Sequence, residues 1–131
     1  MKLEHIAYQV AEPIEVSRWY CEHLGLTLVR ESDVSPFMHF LTDDSGSICI
    51  EIYHNPKVDV PDYASMDPLY LHIAFASLNV LADRDRLLKA GARLYEDAVQ
   101  TPLGDTLVML RDPWGFALQL CQRPNPVIRW P

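Results

Sequence analysis

Residues 5–10 read His5-Ile6-Ala7-Tyr8-Gln9-Val10, and residues 72–77 read His72-Ile73-Ala74-Phe75-Ala76-Ser77. The second copy begins 67 residues after the first (72 − 5). Each copy leads into a helical pattern that closes on glycine, at Gly25 and at Gly91, where a left-handed residue suits a helix end. Later, Gly46 opens an apolar run holding Glu51, and Gly115 opens another holding Gln119, at a spacing of 68 (119 − 51). The register of the repeat drifts by one residue over half the chain.

Working outward, the first half predicts a strand over Lys2–Val10 and a helix over Pro13–Leu24, where Pro13 suits a first helical turn. Strands follow over Thr27–Glu31, Phe37–Thr42 and Ser47–Tyr53, with Asp43-Asp44-Ser45-Gly46 as turn chemistry. The second half predicts a strand over Tyr70–Ala76 and a helix over Val80–Ala90 capped by Asn79. Its later strands are Arg93–Glu96, Asp105–Arg111 and Phe116–Gln122, with Asp112-Pro113-Trp114-Gly115 as the matching turn. The fold class is therefore α+β: two tandem βαβββ modules forming a curved mixed sheet around a central cavity. A single domain over 1–131 is expected, made of module one (1–54), a connector (55–68), module two (69–122) and a tail (123–131). Pro56, Pro61 and Pro68 mark the connector as extended chain, and Trp130 is the tail's sizeable apolar anchor.

Composition narrows the function classes. The 131 residues suffice for one core, and 18 acidic against 11 basic side chains give a net charge of −7 with no Lys/Arg cluster to follow a phosphate backbone. Nucleic acid and anionic membrane are excluded as partners on that basis. No segment has the roughly 20 apolar residues of a membrane span, and MKLEHIAYQV breaks its apolar run at Glu4 and His5, unlike a signal peptide. Cys21, Cys49 and Cys121 are odd in number and widely spaced, which fits free thiols in a reducing cytoplasm.

Strand side chains alternate between faces, so the repeat sorts its own residues. His5, Ala7 and Gln9 oppose Ile6, Tyr8 and Val10, while Cys49, Glu51 and Tyr53 oppose Ile48, Ile50 and Ile52. His72, Ala74 and Ala76 oppose Leu71, Ile73 and Phe75, while Ala117, Gln119 and Cys121 oppose Phe116, Leu118 and Leu120. The aliphatic faces are expected under the helices. The opposite faces mix polar with small residues, as a ligand cavity requires. Two histidines, a carboxylate and an amide at corresponding positions of the two copies point to a metal site at His5, Glu51, His72 and Gln119, since packing alone gives no reason for such a coincidence. His23 suits a helix C-terminus; His39 and His54 lack counterparts and are expected at a pocket, a rim or the surface; Trp19 and Tyr20 are expected to pack α-helix against sheet, and Trp114 to pack its turn.

Taken together, HIAYQV with its helix and HLGL, GSICIEIY, LHIAFAS with KAGA, and DPWGFALQL resemble the vicinal oxygen chelate superfamily over about Lys2 to Gln122. That superfamily includes glyoxalase I, methylmalonyl-CoA epimerase, extradiol dioxygenases, and fosfomycin- and bleomycin-resistance proteins. The resemblance implies metal ligands from the first and last strands of each module, which again falls on His5, Glu51, His72 and Gln119. The inventory is that of the epimerases with Glu and Gln exchanged between modules.

One divalent ion (Zn, Ni, Mn, Co or Fe) with this set would keep a net charge of about +1 and two open positions. The implied function is a metal-dependent glyoxalase-like lyase or isomerase that stabilises an enediolate of a small oxygenated substrate, with Glu51 as ligand and proton-transfer base; the amide of Gln119 cannot take that role. The alternatives are metal-free sequestration of a small molecule, as in bleomycin-resistance proteins, and ring cleavage at Fe(II). A homodimer is also implied by the resemblance.

Overall fold

The computed structural model describes residues 1–128; Arg129, Trp130 and Pro131, and with them the expected Trp130 anchor, lie outside the described residues. The elements run β1 (His5–Gln9), α1 (Pro13–Leu24), β2 (Thr27–Glu31), β3 (His39–Thr42), β4 (Cys49–Tyr53), β5 (Ile73–Ala76), α2 (Val80–Lys89), β6 (Arg93–Gln100), β7 (Thr106–Arg111) and β8 (Ala117–Gln122). This is βαβββ twice, an α+β fold. The chain divides into two compact units, Met1–Pro61 and Asp62–Pro131.

Each unit holds one four-stranded mixed sheet, ordered β1-β4-β3-β2 in the first and β5-β8-β7-β6 in the second. The orders correspond strand for strand. The first strand of each unit pairs in parallel with the last, and the remaining pairs are antiparallel. The parallel pair follows from the helix, which carries the chain across the sheet between the first strand and the next.

Helix α1 begins on Pro13 and ends where Gly25, at φ 72°, returns its N–H to the Tyr20 carbonyl. Helix α2 begins with the Asn79 side chain accepting from the Ala82 N–H, and Gly91 follows it at φ 100°. These are the predicted caps. Each helix packs on its own sheet, α1 on β2, β3 and β4 and α2 on β6, β7 and β8. The first core gathers Val16, Tyr20, Leu41 and Ile52, and the second Val80, Leu87, Leu110 and Leu118, all at 1% exposure or less. Each such side chain contributes about 1.5–3 kcal/mol relative to an exposed one. Trp19 and Tyr20 are buried as expected, and Tyr8 donates its hydroxyl to that of Tyr20 at 2.9 Å inside the core.

Several sequence expectations change. Ile6 is on the aliphatic face yet is 53% exposed, because β1 is an edge strand and the helix lies over the other three. Strand β6 reaches Gln100 rather than Glu96, extended by register shifts between Leu94 and Val99 that the sequence does not announce. His39 is a core residue rather than a pocket or surface residue: it pairs with Ile52 on the helix side, is 3% exposed, and places Nδ1 2.8 Å from the Phe37 carbonyl.

Candidate functional site

The repeat places Glu51 and Gln119 at equivalent positions of the two sheets. In the first unit Ala7 on β1 is the register partner of Glu51 on β4, and in the second Ala74 on β5 is the partner of Gln119 on β8. His5 lies in β1 two residues before Ala7, so the period of two brings it to the face of Glu51, whereas His72 sits one residue before β5 begins. Small alanines beside Glu51 and Gln119 leave both side chains space.

In the first unit His5 Nε2 lies 3.4 Å from Glu51 Oε2, with the side chains 33% and 18% exposed. The other ring nitrogen, Nδ1, lies 2.8 Å from the Glu4 carboxylate. The Phe40 ring meets the imidazole edge-on at 5.4 Å between centroids. In the second unit His72 Nδ1 lies 2.8 Å from the Pro68 carbonyl, and Gln119 Oε1 accepts from the Cys121 thiol at 3.3 Å.

Both histidines therefore anchor Nδ1 on an oxygen acceptor, the Glu4 carboxylate for His5 and the Pro68 carbonyl for His72. A metal-ligating histidine needs this arrangement, because the acceptor orients the ring and raises the basicity of the other nitrogen. Imidazole, carboxylate and amide carbonyl are donor types that a borderline divalent ion accepts. Within either unit, no group of three or more described His, Cys, Asp or Glu side chains is gathered as a metal cluster; His5 stands with Glu51, while His72 is held by the Pro68 carbonyl and Gln119 by the Cys121 thiol.

The small residues of the polar face do not all border open space. Ala117 and Cys121 are buried. Arg111, the register partner of Ala117, donates to the carbonyls of Gly115, Tyr63 and Met66 at 2.9, 2.8 and 2.7 Å, which draws the 63–66 segment over that end of the sheet. At the other end Arg123 pairs with Asp105 and donates to Cys121 Sγ at 3.8 Å. Burial pushes the Cys121 thiol up, and Arg123 opposes that shift.

Sequence reading missed the residues farther along the same rows. Arg30, Phe40, Glu51 and Ala7 form one cross-strand row, and Glu96, Met109, Gln119 and Ala74 the other. Arg30 and Glu96 reach these rows because β2 and β6 each carry an extra residue, Val29 and Tyr95, so that they advance by two residues where the neighbouring strand advances by one. No turn or glycine marks either bulge, so only their equivalent place in the repeat was a signal. The remaining histidines are structural: His23 packs on Trp19 at 5.2 Å, and His54 Nδ1 lies 3.0 Å from the Val10 carbonyl beside a cavity of about 230 Å³ near the start of α1.

A protein of two βαβββ repeats with paired polar donors on its sheet faces is defined as a class by that architecture. The chain belongs to the Glyoxalase/Bleomycin resistance protein/Dioxygenase superfamily, whose family model matches residues 2–120. It is 24% identical over 128 residues to a probable lactoylglutathione lyase of Synechocystis sp., covering 93% of this chain and 95% of that protein. It is also 24% identical over 133 residues to a probable chloroplastic lactoylglutathione lyase of Arabidopsis thaliana, covering 95% of this chain but only 37% of that protein. The chain thus spans little more than a third of the Arabidopsis relative. Among solved structures, TnmS3, an antibiotic binding protein from Streptomyces sp. CB03234, shares the fold with a TM-score of 0.73 at 17% identity, over 94% of this chain and 96% of that one. No helix among the described residues is long and apolar enough to cross a membrane.

Proposed function

We propose that this protein is a glyoxalase-like lyase or isomerase in which His5, Glu51, His72 and Gln119 hold one divalent ion. The observation that supports the reading is the pairing of His5, anchored through Nδ1, with Glu51 in one unit, together with the equivalent strand positions of Glu51 and Gln119 and the anchoring of His72 Nδ1 on the Pro68 carbonyl in the other. The relatives named lactoylglutathione lyase support the same reaction class. Bound there, a divalent ion supplies Lewis acidity toward a carbonyl and its neighbouring hydroxyl.

The chain's own groups divide the remaining work by their chemistry. The Glu51 carboxylate, 18% exposed, accepts a carbon-bound proton and returns it to the adjacent carbon. The amide of Gln119 offers a neutral carbonyl oxygen and takes no part in proton transfer. Glu4 and the Pro68 carbonyl anchor the two imidazoles through Nδ1. The Phe40 ring packs edge-on against the His5 imidazole. The working form is a homodimer acting on a small-molecule substrate.

The test is metal content and turnover measured on the same samples, after reconstitution with Zn²⁺, Ni²⁺, Mn²⁺, Co²⁺ or Fe²⁺. The panel consists of hemithioacetals, acyl-CoA thioesters and catechols. Stoichiometric metal with isomerisation of a hemithioacetal or thioester supports the reading. Protein that takes up none of these metals overturns it, and cleavage of catechols replaces it with oxygenation.

A further inference from the structure

The acceptor that anchors His72 lies outside the strands of the sheet. It is the carbonyl of Pro68, four residues upstream, 2.8 Å from His72 Nδ1. Pro68 is fully buried, and its ring restricts the chain to one narrow range of φ. The group that places this carbonyl is on β7. Arg111 Nη2 donates to the Met66 carbonyl at 2.7 Å, and Nη1 donates to the carbonyls of Tyr63 and Gly115 at 2.8 and 2.9 Å. The guanidinium also stacks over the Tyr95 ring, 5.0 Å from its centroid. Met66 and Pro68 are two residues apart, so the held carbonyl and the orienting one are separated by at most about 7 Å of chain. Asp67, between them, is restricted by the proline that follows it; its side chain accepts from the Leu69 N–H at 2.9 Å and its carbonyl from the Tyr70 N–H at 3.0 Å. Each link from Arg111 through Met66 and Pro68 to His72 is thus held by a hydrogen bond or a restricted backbone angle.

We infer that Arg111 is the positioning residue for His72: by fixing the 63–66 segment it sets the Pro68 carbonyl, and through that carbonyl the orientation of the imidazole beside β5. The first unit is built differently. Arg111 pairs with Ala117 two residues before Gln119, and the equivalent partner of Cys49, two residues before Glu51, is Thr42, which donates to the Ile48 carbonyl at 2.9 Å. His5 takes its acceptor from the adjacent Glu4 side chain, so its orientation needs no such strap. Lysine cannot replace Arg111, because one ammonium on a flexible stem does not hold three carbonyls in the plane of a guanidinium. This role deepens the proposed function and rests on it for the consequence to metal, since a ligating imidazole is oriented by the acceptor on its other nitrogen. The orientation itself is a property of the metal-free chain.

The test uses the 131-residue chain in EDTA at mildly alkaline pH, with the histidine ring nitrogens labelled with nitrogen-15, so that NMR reads which nitrogen of each imidazole carries the proton. His72→Asn assigns the reporting signals. A carbonyl only accepts, so the wild-type His72 proton is expected on Nδ1. In Arg111→Lys the His72 signals are expected to move toward the tautomer mixture of an unrestrained imidazole, while those of His5 stay in place. Val80→Ala, which loosens α2 in the same unit at a side chain 1% exposed, is expected to leave His72 unchanged. Asp67→Gly, at an exposed residue, frees the link between Met66 and Pro68; it is expected to reproduce the shift and decides the matter if Arg111→Lys does not fold. Wild-type His72 signals in the folded variants overturn the inference, and so does an equal shift in Val80→Ala, which would make the effect one of general loosening. Metal titration of the same samples is separate: Arg111→Lys is expected to bind about tenfold more weakly than the wild type. A wild type that takes up no metal removes the functional reading and leaves the ring result to stand, whereas metal uptake with an unmoved His72 does the reverse.

Discussion

His5 Nε2 and Glu51 Oε2 stand 3.4 Å apart on adjacent parallel strands, while His5 Nδ1 is held 2.8 Å from Glu4. The imidazole is thus fixed from one side and presents its second nitrogen to the carboxylate. Removing the charge of Glu51 tests what that arrangement is for. Glu51→Gln is expected to lower divalent-metal affinity about tenfold or more and to abolish proton transfer, whereas Gln119→Glu retains metal and some turnover. Calorimetric metal titration and turnover on the same preparations decide; full turnover in Glu51→Gln would place the base elsewhere.

Arg111→Lys keeps the charge but cannot reach three carbonyls from one planar head. It is expected to cost about 2 kcal/mol in urea unfolding and to speed proteolytic cleavage in the 62–68 segment, which Arg111 holds through Tyr63 and Met66. Unchanged cleavage would mean that the segment is held by its other packing alone.

Gly115, at φ 96°, lies so close to Ala64 that an added Cβ would sit 2.6 Å from the Ala64 Cβ. Gly115→Ala combines a left-handed backbone with a clash and is expected to cost about 3 kcal/mol. Gly46→Ala, at φ 61° with nothing within 4 Å, is expected to cost about 1 kcal/mol. Chemical denaturation of the two variants side by side measures the difference, and equal losses would remove the close approach as its cause.

Burial raises the Cys121 thiol above its ordinary range, against the pull of Arg123. A group whose folded pKa lies above its unfolded value contributes stability that is present below the unfolded pKa and lost as pH rises through the folded one. Alkylation by iodoacetamide is accordingly expected to be slower at Cys121 than at the half-buried Cys21 across mildly alkaline pH. Peptide mapping by mass spectrometry follows both sites, and equal rates would contradict the shielding. Arg123→Ala, which removes the cation, is expected to slow Cys121 further wherever the site remains folded.

The repeat itself was legible in the sequence because its signals are local. A period of two in HIAYQV and HIAFAS, a first-turn Pro13, an Asn79 cap and glycines after both helices each act within a few residues. Those local signals placed all eight strands and both helices, and they sorted His5, Glu51 and Gln119 onto the non-aliphatic face. What the sequence could not supply was the effect of neighbours. Ile6 and Ile52 have the same chemistry, yet one is 53% exposed on an edge strand and the other fully buried under α1. His39 resembled a pocket residue until the pairing with Ile52 put it in the core. The bulges at Val29 and Tyr95 are set by how two strands match across hydrogen bonds, and they alone bring Arg30 and Glu96 into the rows of Glu51 and Gln119. Alternation along one strand is a property of the backbone and can be read from letters; burial, register and the company a side chain keeps are properties of pairs of segments, and only the folded chain decides them.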